Sequence, residues 1–135
     1  MNSPRQRDPH GSAGLLQRIQ VSPTRTRVAD VLVTFAEREQ IVVTPPALII
    51  EIMSPDDTLS DYFERITDYS TMGVGAIWLL DPQKKRAFIG SRDGIRPVDV
   101  LRAPLEIVKG HEIRLRAAEI FTAVLGDDPG HGQNY

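Results

Sequence analysis

The hydrophobic and polar positions along the chain predict a fold rich in strands. Nearly continuous runs of apolar, β-branched residues between turn residues are typical of strands that are covered on both faces. Such runs predict strands at Leu16–Val21, Arg27–Phe35, Ala47–Met53 and Ala76–Leu80. Further along, the pattern predicts a hairpin and one short strand, at Arg86–Ser91, Ile95–Leu101 and around Ile113–Leu115.

Two helices complete the pattern. Apolar residues recur at i, i+3, i+4 and i+7 spacing between Asp57 and Met72, and Gly73 is expected to end that helix. A closing helix is predicted at Ala117–Leu125. Pro45-Pro46 is expected to stop any strand through Ile41–Val43. The order of strands, helix, strand, hairpin and helix predicts an α/β fold built on a mixed β-sheet.

The two ends of the chain differ in composition from its middle. Residues 1–14 and 127–135 carry glycine, proline and polar residues without periodicity, which predicts a flexible leader and a flexible tail around one domain at residues 15–126. A length of 135 residues, 41% of them hydrophobic, suits a single core. No apolar run approaches the roughly 20 residues of a membrane span, and the N-terminus lacks the apolar centre of a signal peptide. We therefore expect a cytoplasmic protein with no membrane partner.

Charge and cysteine content narrow the function classes. With no cysteine, the chain has no disulfide framework, thiolate metal site or cysteine nucleophile. The net charge of −2 is uneven, because residues 1–27 hold five arginines and one aspartate whereas residues 28–135 hold 11 basic and 17 acidic groups. An acidic body is a poor electrostatic match for a phosphate backbone, although it suits a site that gathers divalent cations. The turn Lys84-Lys85-Arg86 is interpreted as a solvated loop rather than a phosphate clamp.

Two carboxylates interrupt strands that otherwise consist of core residues. Asp30 lies among valines, alanine and leucine, and Glu51 lies among isoleucines. Because an unpaired buried carboxylate is costly, each residue could pair with an arginine or lie at a strand end that reaches solvent. Two such carboxylates on consecutive strands favour a shared divalent-cation site instead, and their hard oxygen ligands favour Mg²⁺ or Mn²⁺.

The helix after Asp57 carries three polar residues at i, i+4, i+8 spacing, namely Asp61, Arg65 and Tyr69. At 100° per residue, Arg65 and Tyr69 lie on one flank of the buried stripe. The simplest interpretation is a surface ion pair between Asp61 and Arg65. On the strand before the helix, Met53 shares a face with Glu51 but can neither bind a hard metal strongly nor transfer a proton.

Several motifs occur in an order and spacing that point to one family. They are Val21-Ser-Pro-Thr-Arg-Thr-Arg-Val-Ala-Asp30, Pro45-Pro-Ala-Leu-Ile-Ile-Glu-Ile-Met-Ser-Pro55, Glu64-Arg-Ile-Thr-Asp-Tyr69, Gly73-Val74, Ile77-Trp-Leu-Leu-Asp-Pro82 and Ala118-Glu-Ile-Phe121. Together they resemble the Uma-two family of restriction endonucleases. The resemblance implies a PD-(D/E)xK fold, in which helices flank a restriction-endonuclease-like mixed β-sheet. It also implies a metal-dependent endonuclease whose substrate is nucleic acid, with DNA as the first expectation.

The resemblance also assigns roles to individual residues. Asp30 and Glu51 match the two acidic positions that bind Mg²⁺ or Mn²⁺. Met53 stands where the strand motif has a lysine, and Arg65 matches the helical position to which the basic residue has moved in related branches. Arg65 would then hold the scissile phosphate, and Tyr69 would position Arg65 or the attacking water.

This sequence departs from the family pattern at its N-terminus. The resemblance implies a longer N-terminal region that packs on the sheet, and only the end of that region is matched here. An exposed sheet face or edge would favour self-association, so a homo-oligomer is expected. The alternative function is a catalytically inactive, truncated relative that acts as a nucleic-acid-binding or oligomerising module.

Overall fold

A computed structural model describes residues 7–37, 39–105 and 111–125 of the chain. Most of these residues lie in strands, with one short 3₁₀ turn and one α-helix between strands and a second α-helix after the last strand. The elements in chain order are β1 Arg7–Ser22, β2 Arg25–Ala36, β3 Ile41–Val42, β4 Leu48–Ile52, the 3₁₀ turn Leu59–Tyr62, α1 Phe63–Met72, β5 Ala76–Asp81, β6 Arg86–Ser91, β7 Gly94–Val98, β8 Val100–Leu105, β9 His111–Arg116 and α2 Ala117–Leu125.

Within the described residues, seven strands form one mixed sheet in the order β3-β1-β2-β4-β5-β6-β7, and β8 and β9 form a separate two-stranded sheet. The neighbours β4 and β5 run parallel. A parallel pair needs a crossover connection, and α1 supplies it. The β2–β4 and β5–β6 pairs are antiparallel. The predicted α/β fold on a mixed sheet is therefore confirmed.

Each face of the large sheet carries its own hydrophobic cluster. Strand β5 contributes to both clusters by alternation, because Ile77 and Leu79 face α1 whereas Trp78 and Leu80 face the opposite side. The cluster under α1 includes Tyr69 of the helix. The cluster on the other face is covered by the β8–β9 sheet and α2. We call the two sides the α1 face and the α2 face.

Helix α1 ends as predicted but begins later. Gly73 adopts a left-handed conformation with φ of 106°, and its N–H donates to the carbonyls of Tyr69 and Ser70. Glycine takes this conformation without steric cost, which explains the stop. The predicted first turn is instead a separate 3₁₀ turn. In it, the Asp61 carboxylate accepts a hydrogen bond of 2.7 Å from the Thr58 N–H.

The N-terminal strand is longer than predicted. Residues 7–14 were expected to belong to a flexible leader, but β1 begins at Arg7 and pairs with β2 from the Arg7–Ala36 register onward. The pairing uses backbone groups, so this edge of β2 accepts a partner that lacks apolar periodicity. Register shifts between Arg7 and Ser12 and between Gln20 and Ser22 interrupt the regular pairing. The predicted tail, 127–135, lies outside the described residues.

Two further boundaries differ from the prediction. Strand β3, Ile41–Val42, forms just before the two prolines and pairs in parallel with β1. The second hairpin strand is shorter than expected, because β7 ends at Val98 and β8 begins at Val100 in the other sheet. Asp99 lies between these two strands. None of the helices in the described part of the chain is long and apolar enough to cross a membrane.

Candidate active site

Asp30 and Glu51 meet at the point where β2 and β4 stop pairing. The backbone ladder of these strands runs from Val33–Leu48 to Val31–Ile50. At the next position, that of Asp30 and Glu51, the side-chain carboxylates replace backbone carbonyls as hydrogen-bond acceptors. The Asp30 N–H donates to Glu51 Oε2 at 3.1 Å, and the Ile52 N–H donates to Asp30 Oδ2 at 2.8 Å. Each carboxylate therefore lies beside the other strand, and the two carboxylates are neighbours.

Glu51 is buried on the α1 face because it alternates with two core residues. Ile49 and Met53 share its side of β4 and belong to the α1-face cluster, and Glu51 itself is 1% exposed. Burial raises the pKa of the Glu51 carboxyl, and the nearby Asp30 charge adds to this increase. The hydrogen bond from the Asp30 N–H and the charge of Arg65 act in the opposite direction. The net effect is a raised pKa.

Arg65 reaches Glu51 from the first half of α1. Its Nη1 donates to Glu51 Oε1 at 2.9 Å and to the Val28 carbonyl at 3.2 Å. The alternative of a surface ion pair with Asp61 is wrong in this structure, because the Asp61 carboxylate accepts from the backbone and side chain of Thr58. The Arg65 side chain stays 35% exposed whereas that of Glu51 is 2% exposed. The guanidinium therefore bridges the buried carboxylate and solvent.

Tyr69 follows Arg65 by one helical turn and is fully buried. Its hydroxyl lies 3.5 Å from Glu51 Oε2, at the long end of the hydrogen-bond range. Burial raises the pKa of Tyr69, and the Glu51 carboxylate raises it further. The phenol is consequently a proton donor toward Glu51. The structure thus brings together all four residues singled out in the sequence: Asp30, Glu51, Arg65 and Tyr69.

A network of ion pairs that the sequence did not reveal fixes α1 against the β1–β2 hairpin. Arg27 Nε donates to Asp68 Oδ2 at 2.7 Å, and Arg25 Nη1 donates to the same oxygen at 2.9 Å. Arg27 also contacts Glu64 Oε1 at 3.2 Å. Two signals were present, since Arg25 and Arg27 share one face of a strand and Glu64 and Asp68 share one face of a helix. The network lies on either side of Arg65 along α1.

A second contact missed from the sequence orders the loop after β4. The Tyr62 hydroxyl donates to Asp57 Oδ2 at 2.6 Å, and the same oxygen accepts from the Ser54 N–H at 2.8 Å. The hydrogen bond from Tyr62 lowers the pKa of Asp57. Burial raises the pKa of Tyr62, and Asp57 adds to this effect. Met53, at the position where the resemblance implies a lysine, is buried in the α1-face cluster.

The possible metal ligands form a pair rather than a larger cluster. In residues 7–37, 39–105 and 111–125, no group of three or more histidine, aspartate or glutamate side chains could hold a metal ion. Asp30 and Glu51 remain as two adjacent carboxylates. Of the Asp30 oxygens, only Oδ2 accepts a hydrogen bond within the described part of the chain. The second oxygen and the remaining lone pairs are therefore open to another ligand.

Comparison with known proteins agrees with this fold. The Uma2 family model, described as "Putative restriction endonuclease", matches residues 3–116. A similar solved structure is the crystal structure of a putative nuclease belonging to DUF820 from Anabaena variabilis ATCC 29413. The two chains are 20% identical with a TM-score of 0.64, and the alignment covers 83% of this chain and 68% of the other. A search of curated proteins found no match. The structural likeness shows a nuclease-like α/β fold.

Proposed function

The chain belongs to the Uma2 family, and from this membership we propose that it is an endonuclease that hydrolyses nucleic-acid phosphodiester bonds with Mg²⁺ or Mn²⁺. We propose DNA as the substrate, because the family model carries the description "Putative restriction endonuclease", and we propose the cytoplasm as the compartment. One observation carries the proposal above the others. The Asp30 and Glu51 carboxylates are neighbours where two strands part, and Arg65 contacts one of them.

The donor set suits a hard divalent cation. Mg²⁺ is usually held by one or two carboxylates together with substrate phosphate oxygens and water, so a third protein ligand is not required. Asp30 offers an oxygen that accepts no hydrogen bond from the described residues. Glu51 accepts hydrogen bonds from the Asp30 N–H, Arg65 and Tyr69, which leaves one of its roughly four lone-pair sites. A cation bound there would polarise the phosphate and lower the pKa of its bound water.

The side chains around the pair take distinct roles in this proposal. Arg65 is partly exposed and has five N–H donors, so it can hold Glu51 through Nη1 and offer its remaining donors to a phosphate oxygen. Tyr69 is fully buried and contacts Glu51, which makes it a positioning residue rather than a substrate contact. Its proposed role thus shifts from holding the water or Arg65 to holding Glu51.

The proton of the attacking water needs an acceptor. Met53 has no basic group, and arginine keeps its proton near neutral pH. Among the residues proposed for the site, the acceptor is therefore one of the two carboxylates. Asp30 is the better candidate, because it is partly exposed and its carboxylate accepts only one hydrogen bond from the described residues.

Exposed apolar residues support the proposed self-association. Leu15 and Leu16 are 72% and 70% exposed, and Val43 is 53% exposed. They lie in or next to β1 and β3, at one edge of the large sheet. Such an edge offers backbone groups and apolar area to a second copy of the chain.

The second candidate function is a binding module that keeps the fold without cleaving. It is favoured by the ion pair, because Arg65 supplies a positive charge to Glu51 from within the chain, and by the buried Met53. Cleavage separates the two functions. An enzyme requires both carboxylates and a divalent cation, whereas a binding module retains affinity and never cuts.

The deciding experiment is incubation of supercoiled plasmid with and without Mg²⁺ or Mn²⁺, using wild type, Asp30→Asn and a matched control, Asp93→Asn. Asp93 is an exposed turn residue with no ion pair among the described residues. Nicking by wild type and the control, only with the cation and not by Asp30→Asn, is the expected result. Nicking by Asp30→Asn would contradict the assignment.

Cation binding can be measured independently of cleavage. Because a ligand that binds only the folded state raises its stability, millimolar Mn²⁺ should raise the thermal midpoint of wild type. Glu51→Gln should abolish the increase, since the amide lacks the negative charge. An equal increase in both proteins would place the cation elsewhere.

A further inference from the structure

The α2 face carries a groove that the proposed active site does not use. Its volume is about 1230 Å³, and it lies between the β6–β7 hairpin and the segment where β8, β9 and the start of α2 meet. Its floor is apolar and includes Ala87, Ile89 and Phe121. These residues pack with the α2-face cluster, whereas Glu51 lies with the α1-face residues. The groove and the carboxylate pair are therefore on opposite faces of the sheet.

The charged residues that line this groove are predominantly basic, so we call it the basic groove. They include five cationic residues and one acidic residue, Asp99; the cationic residues are Lys85, Arg86, Arg96, Arg102 and Arg116. This concentration of positive charge stands out because residues 28–135 as a whole carry more acidic than basic groups. Five of the 11 basic residues of this part of the chain thus line one groove.

Two of the five cations are already engaged. Arg86 contacts Asp81 at 3.2 Å and lies over the Phe88 ring, and Arg102 contacts Glu112 at 3.2 Å.

The other three cations are available to a ligand. Lys85, Arg96 and Arg116 form no ion pair with any residue in the described part of the chain, and all three are exposed. The register of β6 and β7 places Arg96 opposite Ile89, on the side of the sheet that forms the groove floor. Lys85 directly precedes β6 and Arg116 ends β9, and both residues line the groove.

We propose that the basic groove binds the phosphate backbone of double-stranded DNA, a ligand class that rests on the proposed function. Unpaired arginine and lysine side chains bind phosphate oxygens without reading sequence. A single strand would require exposed aromatic side chains on which bases stack. Phe121 is the aromatic residue among those lining the groove, and it is 6% exposed. The groove therefore holds a duplex by its backbone.

This binding surface is separate from the carboxylate pair, so its affinity needs no divalent cation. It changes the interpretation of the turn Lys84-Lys85-Arg86, which the sequence suggested was only a solvated loop. It also answers the objection that an acidic body repels a phosphate backbone, because the field that a ligand meets is local.

The test measures binding of a labelled DNA duplex in the presence of EDTA, over a range of salt concentrations. The protein is compared with Arg96→Gln/Arg116→Gln and with a matched control, Arg18→Gln/Arg92→Gln. Both double variants remove two positive charges. Arg18 and Arg92 are exposed and form no ion pair among the described residues, but they do not line the basic groove. Circular dichroism checks that each variant is folded.

The groove variant should bind the duplex roughly tenfold or more weakly at about 0.1 M salt, and its slope of log K against log salt should fall by about two. The control should bind like wild type. Equal weakening of both variants, or of neither, would overturn the proposal. A single-stranded probe that binds more tightly than the duplex and loses as much in the groove variant would also overturn it.

The same experiment separates this proposal from the proposed function. If wild type binds duplex through the basic groove but fails to nick plasmid with Mg²⁺ or Mn²⁺, the groove proposal stands and the endonuclease proposal is contradicted. If nicking is cation-dependent but the groove variant loses no affinity, the endonuclease proposal stands and the groove proposal is contradicted.

Discussion

The two faces of the large sheet handle charge in opposite ways. On the α1 face, Glu51 is 2% exposed at its side chain and pairs with Arg65, and Asp68 pairs with Arg27. On the α2 face, Arg96 and Arg116 are exposed and form no ion pair with the described residues. A buried charge must be paired for the protein to fold, whereas an exposed charge is solvated and can stay unpaired, as Arg96 and Arg116 do among the described residues.

This difference separates two kinds of functional residue. On the α1 face a substitution changes the site and the stability of the fold together, because the same contact serves both. On the α2 face, substitution of an exposed, unpaired cation is expected to change affinity for a charged ligand and to leave folding almost unchanged. The following predictions test that separation, beginning with the largest expected effect.

The largest effect is expected on cleavage by Arg65 variants. If Arg65 holds the phosphate, Arg65→Ala should lower cation-dependent cleavage by roughly 100-fold or more, the scale of one lost transition-state contact. Plasmid-nicking rates under single-turnover conditions measure this. Arg65→Lys should be at least as active as wild type, because lysine keeps the positive charge and can also titrate when partly buried.

Two outcomes would contradict this assignment. Cleavage that survives Arg65→Ala would restrict Arg65 to pairing with Glu51. The contacts of Arg65 with Glu51 and the Val28 carbonyl use one nitrogen, Nη1, which the single nitrogen of lysine could replace. An Arg65→Lys variant without activity would therefore mean that the whole fork of the guanidinium is required. Arginine would then not be a substitute for the lysine that the resemblance implies.

The next effect is on stability and compares the two faces directly. Arg65→Met leaves the Glu51 carboxylate buried without its cation and should lower the free energy of unfolding by about 2 kcal/mol. Arg96→Met, a substitution of the same type on the α2 face, should change it by less than about 0.5 kcal/mol. Urea unfolding at neutral pH, in EDTA, measures both variants. Equal losses in the two variants would remove the distinction between the faces.

Much of the fold could be predicted from local patterns. The strands at Ala47–Met53 and Ala76–Leu80 and the helix stop at Gly73 were visible because continuous apolar runs and a glycine are local signals. The start of β1 at Arg7 was not visible, because its pairing with β2 uses backbone groups that every residue has. The division of β7 from β8 also depends on which sheet each strand joins.

The candidate site likewise combines residues that local sequence patterns revealed with contacts that depend on packing. Asp30 and Glu51 were detectable because a carboxylate inside an apolar strand is unusual, and the structure places them side by side. The partner of Arg65 was not detectable, since the helix spacing pointed to Asp61 and the contact with Glu51 depends on how α1 packs. The basic groove was hidden for a similar reason, because its cations come from segments that are distant in sequence.

The smallest expected effect concerns the network that holds α1. Burial acts to raise the pKa of Asp68, but hydrogen bonds and charges from Arg27 and Arg25 outweigh it, so the pKa is lowered from the ordinary 3.8. A lowered folded-state pKa gives stability that is present above the unfolded pKa and is lost as pH falls through the folded pKa. Asp68→Asn should therefore cost about 1 kcal/mol at pH 7, and its difference from wild type should shrink below about pH 4.

Urea unfolding at several pH values measures this difference, and Asp93→Asn provides the control because Asp93 is exposed and has no ion pair among the described residues. The control should follow wild type at every pH.

Because Asp68 lies next to Tyr69 and one turn from Arg65 on α1, its loss should also loosen the approach of the helix to Glu51 and lower cleavage severalfold. A difference from wild type that stays constant down to pH 3 would mean that Asp68 does not stabilise the fold through its charge. The ion pairs would then not be what holds α1 in place, and apolar packing of Ile66 and Tyr69 would remain as the force that does.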